Sequence, residues 1–545
     1  MNFVSRTSLG PVISLSIAVA FALAACSKAP ESAPPVAAKI ATPVVTTAKA
    51  GSGSSQDDHG IAWQTGDVDV VFAAAKADHK PVFLYWGAKW CPPCNQIKAT
   101  VFNRQDFIER SRQFVPVYVD GDGPNAQRLG SRFKVSGYPT MILFTPEGAE
   151  ITRLPGDVDA DQYMQVLAMG MNGARPIKET LAGALAPDAA KLTPDDWRML
   201  SFYSWEVDDQ QLLAKDAVAP TLQRLASACP ADQPESATRL KLQALAALAT
   251  AKDAKPRDDT EDAAFLRKVL LDAKLTRANF GVLTNYADNL AGYVTLPKSP
   301  ARAQLVADWN GALAQLVADP SLSTADRLAI VIAQVQIAKV DQGDAPLPAP
   351  LAKNVREQVA RADRETTDPY AREAVISAAA DALAEAGLMS ESDALLTAEL
   401  TRSTSPYYYM LGLAANAKKR GDKVAALGWY EKAYAAADGP ATRLQWGASY
   451  VNALVEMSPQ DAARIEAAAS HVIGELKPTP DTFFGRNQKS LERMGKRLEA
   501  WNKGNSNTAS LQRIRRQMAG VCSQVPAADP ARAACEAAMQ PAKTA

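Results

Sequence analysis

Two cysteines, Cys91 and Cys94, close the run Val82-Phe83-Leu84-Tyr85-Trp86-Gly87-Ala88-Lys89-Trp90-Cys91-Pro92-Pro93-Cys94. C-x-x-C spacing serves two chemistries, reversible thiol–disulfide exchange or half of a metal site. A zinc site needs two more ligands at suitable spacing. None is near: no second C-x-x-C exists, and His79 lies 12 positions before Cys91. No metal is therefore assigned. The apolar, β-prone residues before the pair read as a buried strand feeding the first turn of a helix. A helix start carries partial positive charge and unpaired N–H groups, so a thiolate there is stabilised. Cys91 is expected to ionise below the ~8.5 of a free cysteine and to act as an accessible nucleophile. Pro92 and Pro93 suit the first helical positions, where a missing N–H costs nothing.

The rest of the composition narrows the alternatives. Lys+Arg and Asp+Glu both total 59, so no net charge steers the chain to nucleic acid. The three histidines, His59, His79 and His471, are far apart, which argues against a His-rich metal site or a serine triad. Six cysteines in 545 residues are too few for a disulfide-framed scaffold.

The elements that must position the pair alternate helix and strand between residues 61 and 172. Asp67 to Ala77 reads as a helix, Val82 to Trp86 as a strand, and Asn95 to Val101 as the helix the cysteines open. Gln105 to Arg112 and Asn125 to Phe133 read as helices flanking a second strand, Phe114 to Asp120. Thr140 to Phe144 and Ala149 to Leu154 form a hairpin about Glu147-Gly148, and Asp161 to Met169 closes with a helix.

This order, with Trp90-Cys91-Pro92-Pro93-Cys94 early and Gly137-Tyr138-Pro139-Thr140 before a hairpin, resembles the thioredoxin family. The resemblance implies an α/β fold, a cis peptide before Pro139 facing the cysteines, and a redox role for Cys91 and Cys94. It implies substrate contacts at Trp90, Tyr138 and Pro139. Val101-Phe102-Asn103 and the Val117–Asp120 strand look most like periplasmic thioredoxin-like domains of disulfide-reducing systems. One departure stands out. The family carries a buried acid six positions before the first cysteine, where this chain has Tyr85. Lys89 and Asp120 are the nearby substitutes for accepting the Cys94 proton.

Residues 1–26 read as a targeting segment ending Leu23-Ala24-Ala25-Cys26, which resembles the lipobox of bacterial lipoproteins. Cleavage before Cys26 and its lipidation follow from the resemblance, and Ser27 points to outer-membrane sorting. The alternative is an ordinary secretory signal with an incidental Cys26. Residues 27–60, rich in Ser, Ala, Pro, Gly and Thr, read as a flexible linker.

Residues 173–545 read as a large all-α region, either a tetratricopeptide-like solenoid or an irregular helical bundle: 173–370 helical, 371–480 repeats, 481–545 a helical end. Thr193-Pro194-Asp195-Asp196 and Ser323-Thr324-Ala325-Asp326 are helix starts. Gly387 and Gly421 are helix ends 34 residues apart, as are Pro406 and Pro440. At the same offset Ala380 meets Ala414, Leu396 meets Tyr430 and Leu400 meets Tyr434. Cys522 and Cys535 are expected to form a structural disulfide, two buried thiols being the alternative. Cys229 reads as a buried free cysteine.

The expected activity is disulfide reduction in the cell envelope on a disulfide-containing protein substrate. It needs no cofactor, and a membrane electron donor re-reduces the pair. Pro93 resembles reducing members of the family, with oxidase or isomerase as the competing direction. The alternative from another class is a helical-repeat scaffold that recruits a partner, with the α/β domain auxiliary.

Overall fold

From Val82 to Trp86 no residue is polar enough to face water, so this strand needs cover on both sides. It receives it: each of the five is at most 1% exposed. The structure is a computed structural model that describes residues 53–54, 60–156, 158–186, 192–343 and 345–539. The targeting segment with Cys26, and most of the linker at 27–60, lie outside the described residues.

Six strands form one sheet: β1 (Gly53–Ser54), β2 (Gln64–Thr65), β3 (Val82–Gly87), β4 (Val115–Asp120), β5 (Thr140–Phe144) and β6 (Glu150–Leu154). Their order is β1-β2-β4-β3-β5-β6. β3 runs parallel to β4 and antiparallel to β5, with Tyr85 opposite Tyr118 and Met141. Because side chains alternate along a strand, Phe83 and Tyr85 join one apolar layer with Trp63, Phe102, Phe107 and Phe114. Val82, Leu84 and Trp86 join the other with Val117, Ile142 and Phe144. β1 lies within the stretch expected to be linker and pairs with β2.

Five helices flank the sheet: α1 (Val68–Ala77), α2 (Pro92–Ile97), α3 (Gln105–Ser111), α4 (Ala126–Arg132) and α5 (Ala160–Met171). Asp67 caps α1 and Asp159 caps α5, each accepting from backbone N–H groups of the first turn. The helix expected to reach Val101 changes character: α2 passes into a π-helical turn, Lys98–Phe102, which buries both Val101 and Phe102.

Eleven helices, α6–α16, follow among the described residues, from Ile177–Leu185 to Ala349–Glu365. The predicted starts at Thr193 and Ser323 are capping boxes, closed reciprocally by Asp196 and Asp326. Next come α17 (Pro369–Glu385), α18 (Met389–Glu399), α19 (Pro406–Lys419), α20 (Lys423–Ala436), α21 (Pro440–Met457) and α22 (Ala462–Gly474). Gly387 and Gly421 end α17 and α19 at φ +81° and +79°. In both, the next residue's N–H reaches back five positions, Leu388 to Leu383 and Asp422 to Ala417, at 2.8 and 2.9 Å. This is one C-terminal motif used twice at a 34-residue offset. Gly412 lets α19 approach Leu396 of α18, where a methyl group would press on the leucine. The chain ends with α23 (Gly485–Trp501), α24 (Thr508–Cys522) and α25 (Pro530–Ala537). Cys522 and Cys535 are disulfide-bonded, with Cα atoms 5.6 Å apart. Among the described residues no helix is long and apolar enough to cross a membrane.

The helical region does not stand apart from the sheet. One apolar cluster runs from Phe83, Cys91 and Cys94 through Tyr407, Tyr434 and Trp446 to Leu498. Helix α17 lies against α2, and Lys98, just past the end of α2, sits 5.5 Å from the ring of Tyr370 at the start of α17.

Candidate active site

Cys91 is the N-cap of α2. Its backbone is extended (φ −81°, ψ 108°), Pro92 and Pro93 fill the first two helical positions, and its Sγ accepts from the Cys94 N–H at 3.3 Å. The two cysteines are disulfide-bonded with Cα atoms 5.2 Å apart. Asn95, buried, donates from Nδ2 to the Lys89 carbonyl at 2.9 Å and so fixes the loop before the pair. The local sequence therefore builds what the charge argument requires: the first sulfur at the positive end of a helix.

The peptide bond between Tyr138 and Pro139 is cis. Because β3 and β5 are antiparallel and Trp86 pairs with Thr140, Pro139 enters the sheet at the end where Trp90 and Cys91 leave it. The Tyr138 and Trp90 rings meet edge-on at 6.3 Å. The Tyr138 hydroxyl accepts from Gln127 Nε2 at 3.1 Å, and burial pushes its pKa up. Gly121, after β4, has no room for a side chain because that hydroxyl lies against it.

In one respect the arrangement overturns the expectation. Cys91 is 2% exposed, Cys94 0% and Trp90 8%. The predicted nucleophile is covered. Helix α17 packs on α2, and helices nearer the end of the chain cover Trp90. Trp90 stacks on Tyr408 of α19 (5.8 Å, 18°) and tilts against Trp446 of α21 at 4.7 Å. Its Nε1–H donates to Thr442 Oγ1 at 2.8 Å. The Thr442 hydroxyl donates in turn to Asp122 Oδ2 at 2.5 Å, and the Thr442 N–H donates to Asp122 Oδ1 at 2.7 Å. Burial raises the Asp122 pKa, while the Thr442 bonds pull it back. The Arg486 guanidinium of α23 lies 4.7 Å from the Tyr138 ring and 5.9 Å from Trp90. The physical reason is plain. Trp90 presents a large apolar face, and aromatic side chains of α19 and α21 bury it.

Thus Cys91, Cys94, Trp90, Tyr138 and Pro139 come together at one end of the sheet. Asp122, Tyr408, Thr442, Trp446 and Arg486 join them unannounced. No local motif marks them, since Asp122 and Thr442 are 320 residues apart. Of the two substitutes for the missing acid, Lys89 is exposed. Asp120 accepts from the Tyr118 hydroxyl (3.4 Å) and the Asp122 N–H (3.0 Å). Tyr85 is buried and stacks on Tyr118 at 5.3 Å. Cys229 is free and half-buried, its thiol pushed up to about 11 by burial and then by Asp232, so it is not a thiolate at neutral pH.

Asp381, on α17 and within electrostatic reach of Tyr408, has its carboxyl pushed up to about 7 by desolvation, with Glu385 adding repulsion. The neutral acid is thus favoured in the folded chain. Stability from this group is full at acid pH and falls as pH rises from the ordinary carboxylate value of 3.8 through 7. Asp381→Asn should accordingly raise the melting temperature at pH 8 while changing it little at pH 4. Equal shifts at both pH values in calorimetry would refute the assignment.

Residues 68–170 match the family model described as a thioredoxin-like domain. Thiol:disulfide interchange protein DsbD 2 of Pseudomonas aeruginosa is 32% identical over 105 residues, 18% of this chain and 18% of that protein. DsbD of Ralstonia nicotianae is 27% identical over 177 residues, 31% of this chain and 28% of the relative. The chain therefore spans less than a third of the length of these curated relatives. Among solved structures, a DsbH oxidoreductase aligns at 18% identity and a TM-score of 0.19, over 23% of this chain and 94% of that one. A thioredoxin from Thermus thermophilus aligns at 28% identity and a TM-score of 0.18, over 19% and 88%. The chain carries a thioredoxin-like α/β domain with a mixed sheet, followed by a large, mostly helical region.

Proposed function

We propose that this protein is a thiol–disulfide oxidoreductase of the cell envelope that reduces disulfides in protein substrates through Cys91 and Cys94. The observation that carries the reading is the bonded pair at the start of α2, at the sheet end where the cis Tyr138–Pro139 bond lies. The relatives' thiol:disulfide interchange names support it.

In the reduced enzyme, the Cys91 thiolate attacks one sulfur of the substrate disulfide. A mixed disulfide forms and the other substrate sulfur leaves as a thiolate, which takes a proton from water. Deprotonated Cys94 then attacks Cys91 Sγ, re-forming the Cys91–Cys94 bond and releasing the second substrate thiolate. Two electrons pass to the substrate, and a membrane dithiol donor restores the pair by the reverse exchange. Trp90, Tyr138 and Pro139 form the substrate-facing surface, with the backbone at Pro139 pairing to an extended substrate strand. Pro93 favours the reducing direction, and a measured potential near that of strong oxidants would reverse it. A lipid on Cys26 holds the protein at the outer membrane, and the repeated helix pairs are tetratricopeptide-like.

The test is capture. In Cys94→Ser the mixed disulfide cannot resolve, so an adduct through Cys91, released by reductant, should accumulate in envelope fractions. If Cys94→Ser captures nothing that Cys91→Ser fails to capture, the reading is wrong.

One observation favours a second reading: the helices cover Trp90, and Cys91 beside it is buried. On that view the helical region is a scaffold that recruits a partner, and the redox pair is auxiliary. Partner binding by the full-length Cys91→Ser protein under excess reductant, unchanged from the parent, distinguishes it.

A further inference from the structure

We propose that helices α19, α21 and α23 are a lid on the dithiol site, so that the closed arrangement is a resting state from which protein disulfides are excluded. The proposal rests on the redox reading above and concerns how that site is regulated.

The argument starts from access. Attack by Cys91 requires a substrate sulfur in line with Sγ, yet Cys91 is 2% exposed and the Trp90 face that a substrate would meet is occupied. The occupants belong to the same chain: Tyr408, Thr442 and Trp446 on Trp90, and Arg486 over Tyr138. They take two of the three residues assigned to substrate contact, Trp90 and Tyr138, so substrate and lid compete for one surface.

At its centre the lid shares the apolar cluster that holds Cys91, Tyr407 and Trp446. Around the aromatic centre, its fastenings are polar and point from one body to the other. Thr442 bridges Trp90 and Asp122 through three hydrogen bonds. The start of α23 reaches α4 through Gly485 N–H to Ser131 Oγ (2.8 Å) and Arg486 N–H to Gln127 Oε1 (3.0 Å). The Arg128 N–H donates to Asp481 Oδ1 at 2.9 Å, and the Arg128 guanidinium pairs with Asp529 at 3.3 Å. Such groups exchange protein partners for water at small net cost when a surface opens. Asp122 shows the same logic. Its carboxylate finds its Thr442 partners only when the lid is down.

Thr442→Val keeps the shape of the side chain and removes the hydroxyl, leaving Trp90 Nε1 and one Asp122 oxygen without their partner. Losing these bonds should raise the open population about tenfold. Two readouts use the full chain. The first is alkylation of the reduced pair by N-ethylmaleimide, which should be about tenfold faster in Thr442→Val than in the parent. The second is reduction of insulin, which should rise in proportion, while reduction of 2-hydroxyethyl disulfide rises less. Arg486→Met, which removes the cation over Tyr138 but keeps bulk, serves as an independent variant and should move both readouts the same way. Equal alkylation and equal insulin reduction in parent and variants would overturn the lid while leaving the redox reading intact. Faster alkylation with no reduction of either disulfide would keep the lid and overturn the redox reading.

Discussion

Cys91→Ser should abolish disulfide reduction by the purified protein, lowering turnover by at least about 10³-fold, the scale on which removing a covalent nucleophile acts. The reason lies in where the atom sits. Sγ is the capping atom of α2 and accepts from the Cys94 N–H at 3.3 Å. Once reduced, that sulfur gains from the N–H and from the helix start when it is ionised. A serine hydroxyl at the same place keeps the cap but is not ionised at neutral pH, and it cannot form a mixed disulfide. The fold should survive, because serine is itself a preferred N-cap residue. Cys94→Ser should also stop turnover, but by a different route: the first exchange proceeds and the second does not. The two variants therefore separate, with turnover lost in both and adduct formed in one. Turnover by Cys91→Ser within tenfold of the parent would leave the redox function without its atom.

The largest expected effect on stability belongs to Arg153→Ala, a loss of about 3–5 kcal/mol, as when one partner of a buried ion pair is removed. Arg153 is 0% exposed on β6. Its guanidinium donates to Glu150 Oε1 (3.0 Å) and Oε2 (3.3 Å), to the carbonyls of Lys134, Val207 and Phe133 (2.8, 3.1 and 2.6 Å), and to Gln211 Oε1 (2.8 Å). These partners come from the sheet, the loop after α4 and the segment between the helices Pro194–Phe202 and Val218–Ala228. A single buried fork thus ties the α/β domain to the segment near Val207, where Val135 and Asp208 also bridge. Alanine would leave Glu150 buried with only Tyr203 and Gln211 to donate to it, and would strip the guanidinium from three carbonyls, of which Lys134 and Val207 keep backbone donors in Asp209 and Ser136. Arg153→Lys should recover little, because an ammonium cannot present a planar fork to partners in several directions. Urea unfolding measures the loss, and hydrogen exchange should quicken first near residues 204–212. A loss under 1 kcal/mol would mean that the network is dispensable.

The sequence is informative about this protein wherever the determining contacts are local. A short, β-prone apolar run with no polar position reads as a central strand, and β3 is one. Pro-Pro after a cysteine can open a helix but not continue one, and α2 opens there. Thr193 and Ser323 each carry an acid three residues on, and each closes a capping box. Gly387 and Gly421 adopt the positive φ that glycine permits without strain, so the 34-residue spacing of two letters becomes two copies of one helix end. In all these cases a residue's own geometry, or that of neighbours within a turn, decides the outcome.

Whether the first cysteine meets solvent is a different kind of question, and only the tertiary structure decided it. Trp90 and Thr442 are 352 residues apart, and Asp122 and Thr442 are 320 apart. Nothing in either neighbourhood specifies the other. Their meeting depends on how the intervening helices stack and on which face the last of them turns to the sheet. The same holds for the fork of Arg153, whose partners are spread over 58 residues on its C-terminal side and 20 on the other. Local chemistry makes the dithiol. Burial is a property of the assembled surface, summed over helices that touch only after the whole chain has packed.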